Sequence, residues 1–84
     1  MAFVYILRSE SKDKYYIGAT NDLGNRLNEH NAGESKWTKH GKPWTLVLSK
    51  EYKTYSEARK KEAYIKKMKS RIYIEKLIKI GIIS

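Results

Sequence analysis

Two short apolar runs near the amino terminus, parted by six polar residues, constrain this chain more than any other feature. Ala2-Phe3-Val4-Tyr5-Ile6-Leu7-Arg8 is β-branched and aromatic, and Tyr15-Tyr16-Ile17-Gly18-Ala19 follows after Ser9-Glu10-Ser11-Lys12-Asp13-Lys14. The runs read as strands and the polar stretch as a turn, which predicts a β-hairpin. No basic region precedes the first run, so it is expected to be a strand rather than a signal peptide. No apolar stretch reaches the roughly 18–20 residues of a membrane span. The expected location is the cytoplasm, with no membrane partner.

The rest of the chain alternates helical and strand signals. Thr20-Asn21-Asp22 offers N-cap oxygens for a helix over about residues 22–31, with Leu23 and Leu27 on its buried stripe and Gly33 as its stop. A polar, basic loop over residues 34–43 closes at Pro43. Trp44 to Tyr52 alternates and is rich in Leu and Val, as a third strand should be. Thr54-x-x-Glu57 fits a capping box for a helix running through Ala58, Glu62, Ile65 and Met68. Ser70 caps a last helix that presents Ile74, Leu77 and Ile78. The order β-β-α-β-α-α, three strands with segregated helices, predicts an α+β fold and not a parallel doubly wound sheet.

A length of 84 residues allows a single domain, 1–84, with one compact core. The absence of Cys excludes disulfide frameworks, thiolate zinc sites and thiol nucleophiles. The net charge is +9, and it is uneven: residues 1–42 carry +2 and residues 43–84 carry +7. That asymmetry points to a polyanionic partner, nucleic acid first. Walker A, GxGxxG, GxSxG and HExxH patterns are all missing.

Four constellations can carry chemistry. Tyr5 and Tyr16 can share one face of the hairpin, where a phenol passes a proton or holds a phosphate oxygen; both also suit amphipathic sheet positions. Arg26 and His30 project from one helix face, a guanidinium fork for phosphate beside an imidazole that moves protons at neutral pH; a solvated i, i+4 pair has the same spacing. Glu62 is the only acid between Glu57 and Glu75, and the spacing Ala58, Glu62, Ile65 sets it on or beside the core-facing stripe. There it can serve as the minimal ligand of a well-hydrated Mg²⁺, or as the i, i+4 salt-bridge partner of Lys66. Finally, Lys36, Trp37, Lys39 and Lys42 lie in a basic, aromatic loop suited to phosphates and unpaired bases, with Trp44 assigned to the core.

Taken in order, Val4-Tyr5-Ile6, Tyr16-Ile17-Gly18, Arg26, His30 and Glu62 resemble the GIY-YIG endonuclease superfamily. The stretch Asn21-Asp22-Leu23-x-x-Arg26-Leu27-x-x-His30-Asn31 is similar to its small single-domain bacterial members, as is Ser56-Glu57-Ala58-Arg59-Lys60-Lys61-Glu62-x-x-Ile65-Lys66-Lys67. The nuclease modules of excision repair and of junction-resolving enzymes are similar too. The resemblance spans about residues 2–70. It implies a three-stranded antiparallel sheet flanked by helices, and hydrolysis of a DNA phosphodiester with one divalent metal, Mg²⁺ or Mn²⁺, in DNA repair or recombination.

By position, the resemblance makes Glu62 the metal carboxylate and Arg26 the phosphate-binding arginine. Tyr5 and Tyr16 become the tyrosines flanking the phosphate. His30 falls where relatives hold His or Tyr, and Gly18 where a glycine lets the backbone approach closely. Lys61, with the loop lysines, belongs to the nucleic-acid-binding set. Val4 stands where the name-giving family has glycine, and Ala19 where the repair enzymes carry lysine. Two other readings compete with a nuclease: a nucleic-acid-binding module of the same fold, and an accessory protein whose apolar tail, Ile78 to Ile83, docks a protein partner, although that tail reads first as completing the small core; a homodimer is a further partner expectation.

Overall fold

The computed structural model describes residues 1–33, 38, 40–68, 70–81 and 83. Among these residues the elements run β1 (Ala2–Ser9), β2 (Tyr15–Thr20), α1 (Leu23–Asn31), β3 (Trp44–Tyr52), α2 (Tyr55–Met68) and α3 (Arg71–Ile80). The sheet is antiparallel in the order β2-β1-β3, so the first strand is central and the hairpin lies at one edge. The expected α+β order and antiparallel sheet are both present.

A central strand with helices on both faces has no polar side to show, and β1 reads that way: Val4, Tyr5, Ile6 and Leu7 are all buried. Alternation divides them between two cores. Ala2, Val4 and Ile6 join Ile17, Ala58, Ile65, Leu77 and Ile83, which brings in α2 and α3. Tyr5 and Leu7 join Trp44, with Leu23, Leu27, Tyr16 and Leu46 packed around them, which brings in α1. Ile83 is part of the first core, so the carboxy-terminal apolar segment helps to close the domain.

The third strand departs from simple alternation. Ile6 pairs with Leu48 but Leu7 pairs with Leu46, so a bulge absorbs Val47. Strict alternation would set Leu46 and Leu48 on the same face. The bulge sends Leu46 to the α1 core, and Val47 and Leu48 to the other.

The helix ends follow the local signals. The Asp22 side chain accepts from the Asn25 backbone amide at 3.1 Å, and Gly33 takes φ 79° just beyond α1. Thr54 Oγ1 accepts from the Glu57 amide at 3.1 Å, and Ser70 Oγ accepts from the Tyr73 amide at 3.1 Å. Asn31 fastens the end of α1 to the start of β3 by donating from Nδ2 to the Trp44 carbonyl and accepting the Trp44 amide. Among the described residues, no helix is long and apolar enough to cross a membrane.

Two glycines make opposite packing predictions. A Cβ at Gly18 would fall on the hydroxyl and ring of Tyr5, the residue paired with it across the hairpin. Gly18→Ala is expected to cost about 1–3 kcal/mol through overpacking. At Gly24, on α1, a Cβ would meet nothing within 4 Å, so Gly24→Ala should stabilise by up to about 1 kcal/mol through helix propensity. Urea midpoints of the two variants, moving in opposite directions, check both.

Candidate active site

Four elements send side chains to one cleft of about 430 Å³ at the free edge of β2. Tyr5 comes from β1, Tyr16 and Gly18 from β2, Arg26 from α1, and Glu62 from α2. The hairpin register pairs Tyr5 with Gly18 and Leu7 with Tyr16, so the two tyrosines are diagonal neighbours, with ring centroids 6.3 Å apart. Gly18 is bare because the ring of Tyr5 occupies the space above it. Glu62 lies on α2 between Ala58 and Ile65, both in the first core, and its side chain reaches past β2 to the cleft.

Behind Tyr5 lies a chain of buried polar contacts. Its hydroxyl is 3.0 Å from His30 Nε2, and His30 Nδ1 is 2.6 Å from Thr38 Oγ1. Arg26 Nε donates to the Tyr5 hydroxyl at 3.4 Å, while Arg26 Nη1 is held by Glu29 at 2.9 Å. Tyr16 closes over the imidazole, its ring centroid 4.9 Å from that of His30. His30 and Thr38 are both 0% exposed and Tyr5 is 1% exposed.

Burial sets the protonation of this group. It pushes the Tyr5 phenol up to about 12, although the Arg26 hydrogen bond pulls the other way. It pushes His30 down to about 4, and the Arg26 charge adds to that effect. Arg26 is raised by its hydrogen bonds to Tyr5 and then Glu29. At neutral pH the site therefore holds a phenol, a neutral imidazole and a guanidinium.

Glu62 is 5% exposed, and each of its oxygens meets a cation from its own helix. Oε1 is 3.2 Å from Arg59 and Oε2 is 2.9 Å from Lys66. Thus the carboxylate faces the cleft and also forms the salt bridge with Lys66. Among the described residues no group of three His, Cys, Asp or Glu side chains is placed to hold a metal. One buried carboxylate beside a cleft suits Mg²⁺, which keeps several waters and shares the substrate's phosphate oxygens. The Lys66 ammonium on Oε2 marks a position that accepts a cation.

Other expected residues lie elsewhere. Lys42 is exposed, and its carbonyl accepts from Ser11 Oγ. Lys61 lies over the ring of Tyr64, 4.8 Å from its centroid, and does not line the cleft. Lys36, Trp37 and Lys39 lie outside the described residues. Thr38 is the residue that sequence reasoning passed over, because a lone threonine in a polar loop carries no periodicity or motif. Glu29 had a usable signal, its i, i+3 spacing from Arg26.

The chain is similar to known proteins in sequence and in fold. A sequence model described as the GIY-YIG catalytic domain matches residues 1–76. The chain is 36% identical over 77 residues to the UPF0213 protein YazA of Bacillus subtilis, covering 87% of this chain and 77% of that one. It is 42% identical over 67 residues to the UPF0213 protein lin0209 of Listeria innocua, covering 79% and 73%. The solution NMR structure of the UPF0213 protein BH0048 from Bacillus halodurans superimposes with a TM-score of 0.61 at 31% identity, over 96% of this chain and 87% of that one.

The pH dependence of stability tests the buried imidazole. His30 titrates near 4 when folded and near 6.5 when unfolded, so the unfolded chain binds more protons between those values. Its stabilising contribution is complete above about pH 6.5 and is lost as pH falls toward 4, a loss of order 3 kcal/mol at about 1.4 kcal/mol per pH unit. Urea titrations at successive pH values should show that slope in the wild type. They should show it flattened over the same window in His30→Gln.

Proposed function

Because the chain belongs to the GIY-YIG family of nuclease catalytic domains, we propose that it is a divalent-metal-dependent endonuclease that hydrolyses DNA phosphodiester bonds, with a structure-selective role in DNA repair or recombination. The convergence of Tyr5, Tyr16, Arg26 and a buried Glu62 on one cleft from four separate elements carries this reading. The excess of positive charge in the second half of the chain supports a polyanionic substrate.

Glu62 is the residue that would hold Mg²⁺ or Mn²⁺, which when bound polarises the phosphate and stabilises the leaving oxygen. Arg26 is already ordered by Glu29 and Tyr5, so its guanidinium meets charge developing on the phosphate oxygens with little reorganisation. Tyr16 lines the cleft beside it and orients the phosphate through its hydroxyl. The attacking water gives its proton to Tyr5 Oη as the Tyr5 proton moves to His30 Nε2. The water oxygen bonds to phosphorus, the bond to the leaving sugar oxygen breaks, and solvent protonates that oxygen. In the free protein this proton movement is uphill, since Tyr5 is raised and His30 lowered. An anionic phosphate favours a charged imidazole, and a cation on Glu62 favours the phenolate.

One observation favours a second reading, a nucleic-acid-binding module without catalysis: both oxygens of Glu62 are already engaged by Arg59 and Lys66. A single experiment separates the two. Labelled single-stranded, duplex, flap and branched DNA are incubated with the protein in Mg²⁺, Mn²⁺ or EDTA, with Glu62→Gln and Arg26→Ala in parallel. The nuclease reading expects cleavage that needs metal and falls at least about 100-fold in each variant. Salt-sensitive binding with no cleavage of any substrate would instead establish the binding module.

A further inference from the structure

We propose that Thr38 is a positioning residue: its hydroxyl fixes which ring nitrogen of His30 carries the proton, and so keeps Nε2 free to accept the proton of Tyr5. The proposal rests on the reading of Tyr5 and His30 as the proton path.

The argument starts from what each atom can do. Tyr5 Oη has two side-chain neighbours within hydrogen-bond distance among the described residues, Arg26 Nε and His30 Nε2. Arginine only donates. Among the described residues the Tyr5 O–H therefore has one side-chain acceptor, His30 Nε2, and donating to it requires that nitrogen to be the unprotonated one of a neutral ring. The remaining ring proton then sits on Nδ1 and needs an acceptor. Thr38 Oγ1, 2.6 Å away, supplies it.

The His30 end of this arrangement is sealed, and Tyr5 meets the cleft only at its hydroxyl. His30 and Thr38 are wholly buried, so a ring N–H without an acceptor would cost about 1–3 kcal/mol. That cost selects one tautomer over the other. With a methyl in place of the hydroxyl, the ring gains by moving its proton to Nε2, where Tyr5 Oη can accept it. Tyr5 would then lose the acceptor for its own proton. Thr38 is itself held in place independently of that contact. Its carbonyl accepts from Trp44 Nε1 at 2.7 Å and from the Gly41 amide at 3.0 Å. Trp44 is in turn clamped by Asn31, one residue after His30 on α1. The hydroxyl is thus presented by backbone contacts that a Thr38→Val substitution leaves intact.

Long-range ¹⁵N–¹H correlation spectra of the protein labelled at histidine, taken without substrate, test this. The chain has two histidines, and a His40→Gln variant assigns the signals. The wild type and Thr38→Ser are expected to show His30 protonated at Nδ1. Thr38→Val is expected to show it protonated at Nε2, or exchanging between the two. A wild-type ring protonated at Nε2 overturns the proposal, and so does Nδ1 protonation that persists in Thr38→Val. If Thr38→Val does not fold, the wild-type spectrum still decides against or for the assigned tautomer.

Cleavage kinetics supply the functional readout. On any DNA the wild type cleaves, Thr38→Val should lower kcat about 10–100-fold, as loss of the partner that orients a metal-bound histidine does, with KM little changed and Thr38→Ser restoring it. Loss confined to KM, or no rescue by serine, overturns the catalytic side of the proposal. A protein that cleaves no DNA defeats the nuclease reading, while the spectra still judge the tautomer.

Discussion

Burial of β1 on both faces is the constraint from which the rest of the structure follows. One strand supplies the apolar floor of two cores, Val4 and Ile6 to one and Tyr5 and Leu7 to the other. A domain this small cannot make two cores from separate sheets, so it shares the central strand between them. The same sharing places Tyr5 in an apolar layer with only its hydroxyl at the cleft. Its ring is fixed by packing before any ligand arrives. The bulge at Val47 belongs to this arrangement, because it divides Leu46 and Leu48 between the two layers where strict alternation would set both in one.

Low polarity around Tyr5 and His30 makes every polar contact there consequential. An imidazole with no exposure must have partners for both nitrogens, and Tyr5 and Thr38 are those partners. The buried ring resists protonation and the buried phenol resists ionisation, so both rest uncharged beside the Arg26 guanidinium. Charge enters that neighbourhood with a ligand. A phosphate and a cation bias the two groups in the sense that proton transfer from Tyr5 to His30 requires. Glu62 stands at the opposite side of this balance, buried yet paired with Arg59 and Lys66, as a carboxylate in such a position must be.

Much of this was readable before any coordinates. The hairpin, the caps at Asp22, Thr54 and Ser70, and the stop at Gly33 are local, and local signals depend on residues within a turn or two of one another. The helical spacing of Ala58, Glu62 and Ile65 correctly set Glu62 on the inward side of α2. The bulge in β3 was not readable, since its residues alternate as a regular strand would. Nor was the role of Thr38, eight residues from His30 and separated from it by a loop.

The sequence by itself determined the order of elements and the α+β class, because period, capping and turn chemistry act over short distances; the candidate site residues were named by a family resemblance. Tertiary structure alone decided that Tyr5 lies over Gly18, that His30 is sealed from solvent, and that Thr38 and Tyr5 hold its two nitrogens. Those facts depend on register and on the packing of α1 against β1 and β3. Such contacts join residues far apart in the chain, and no local pattern encodes them.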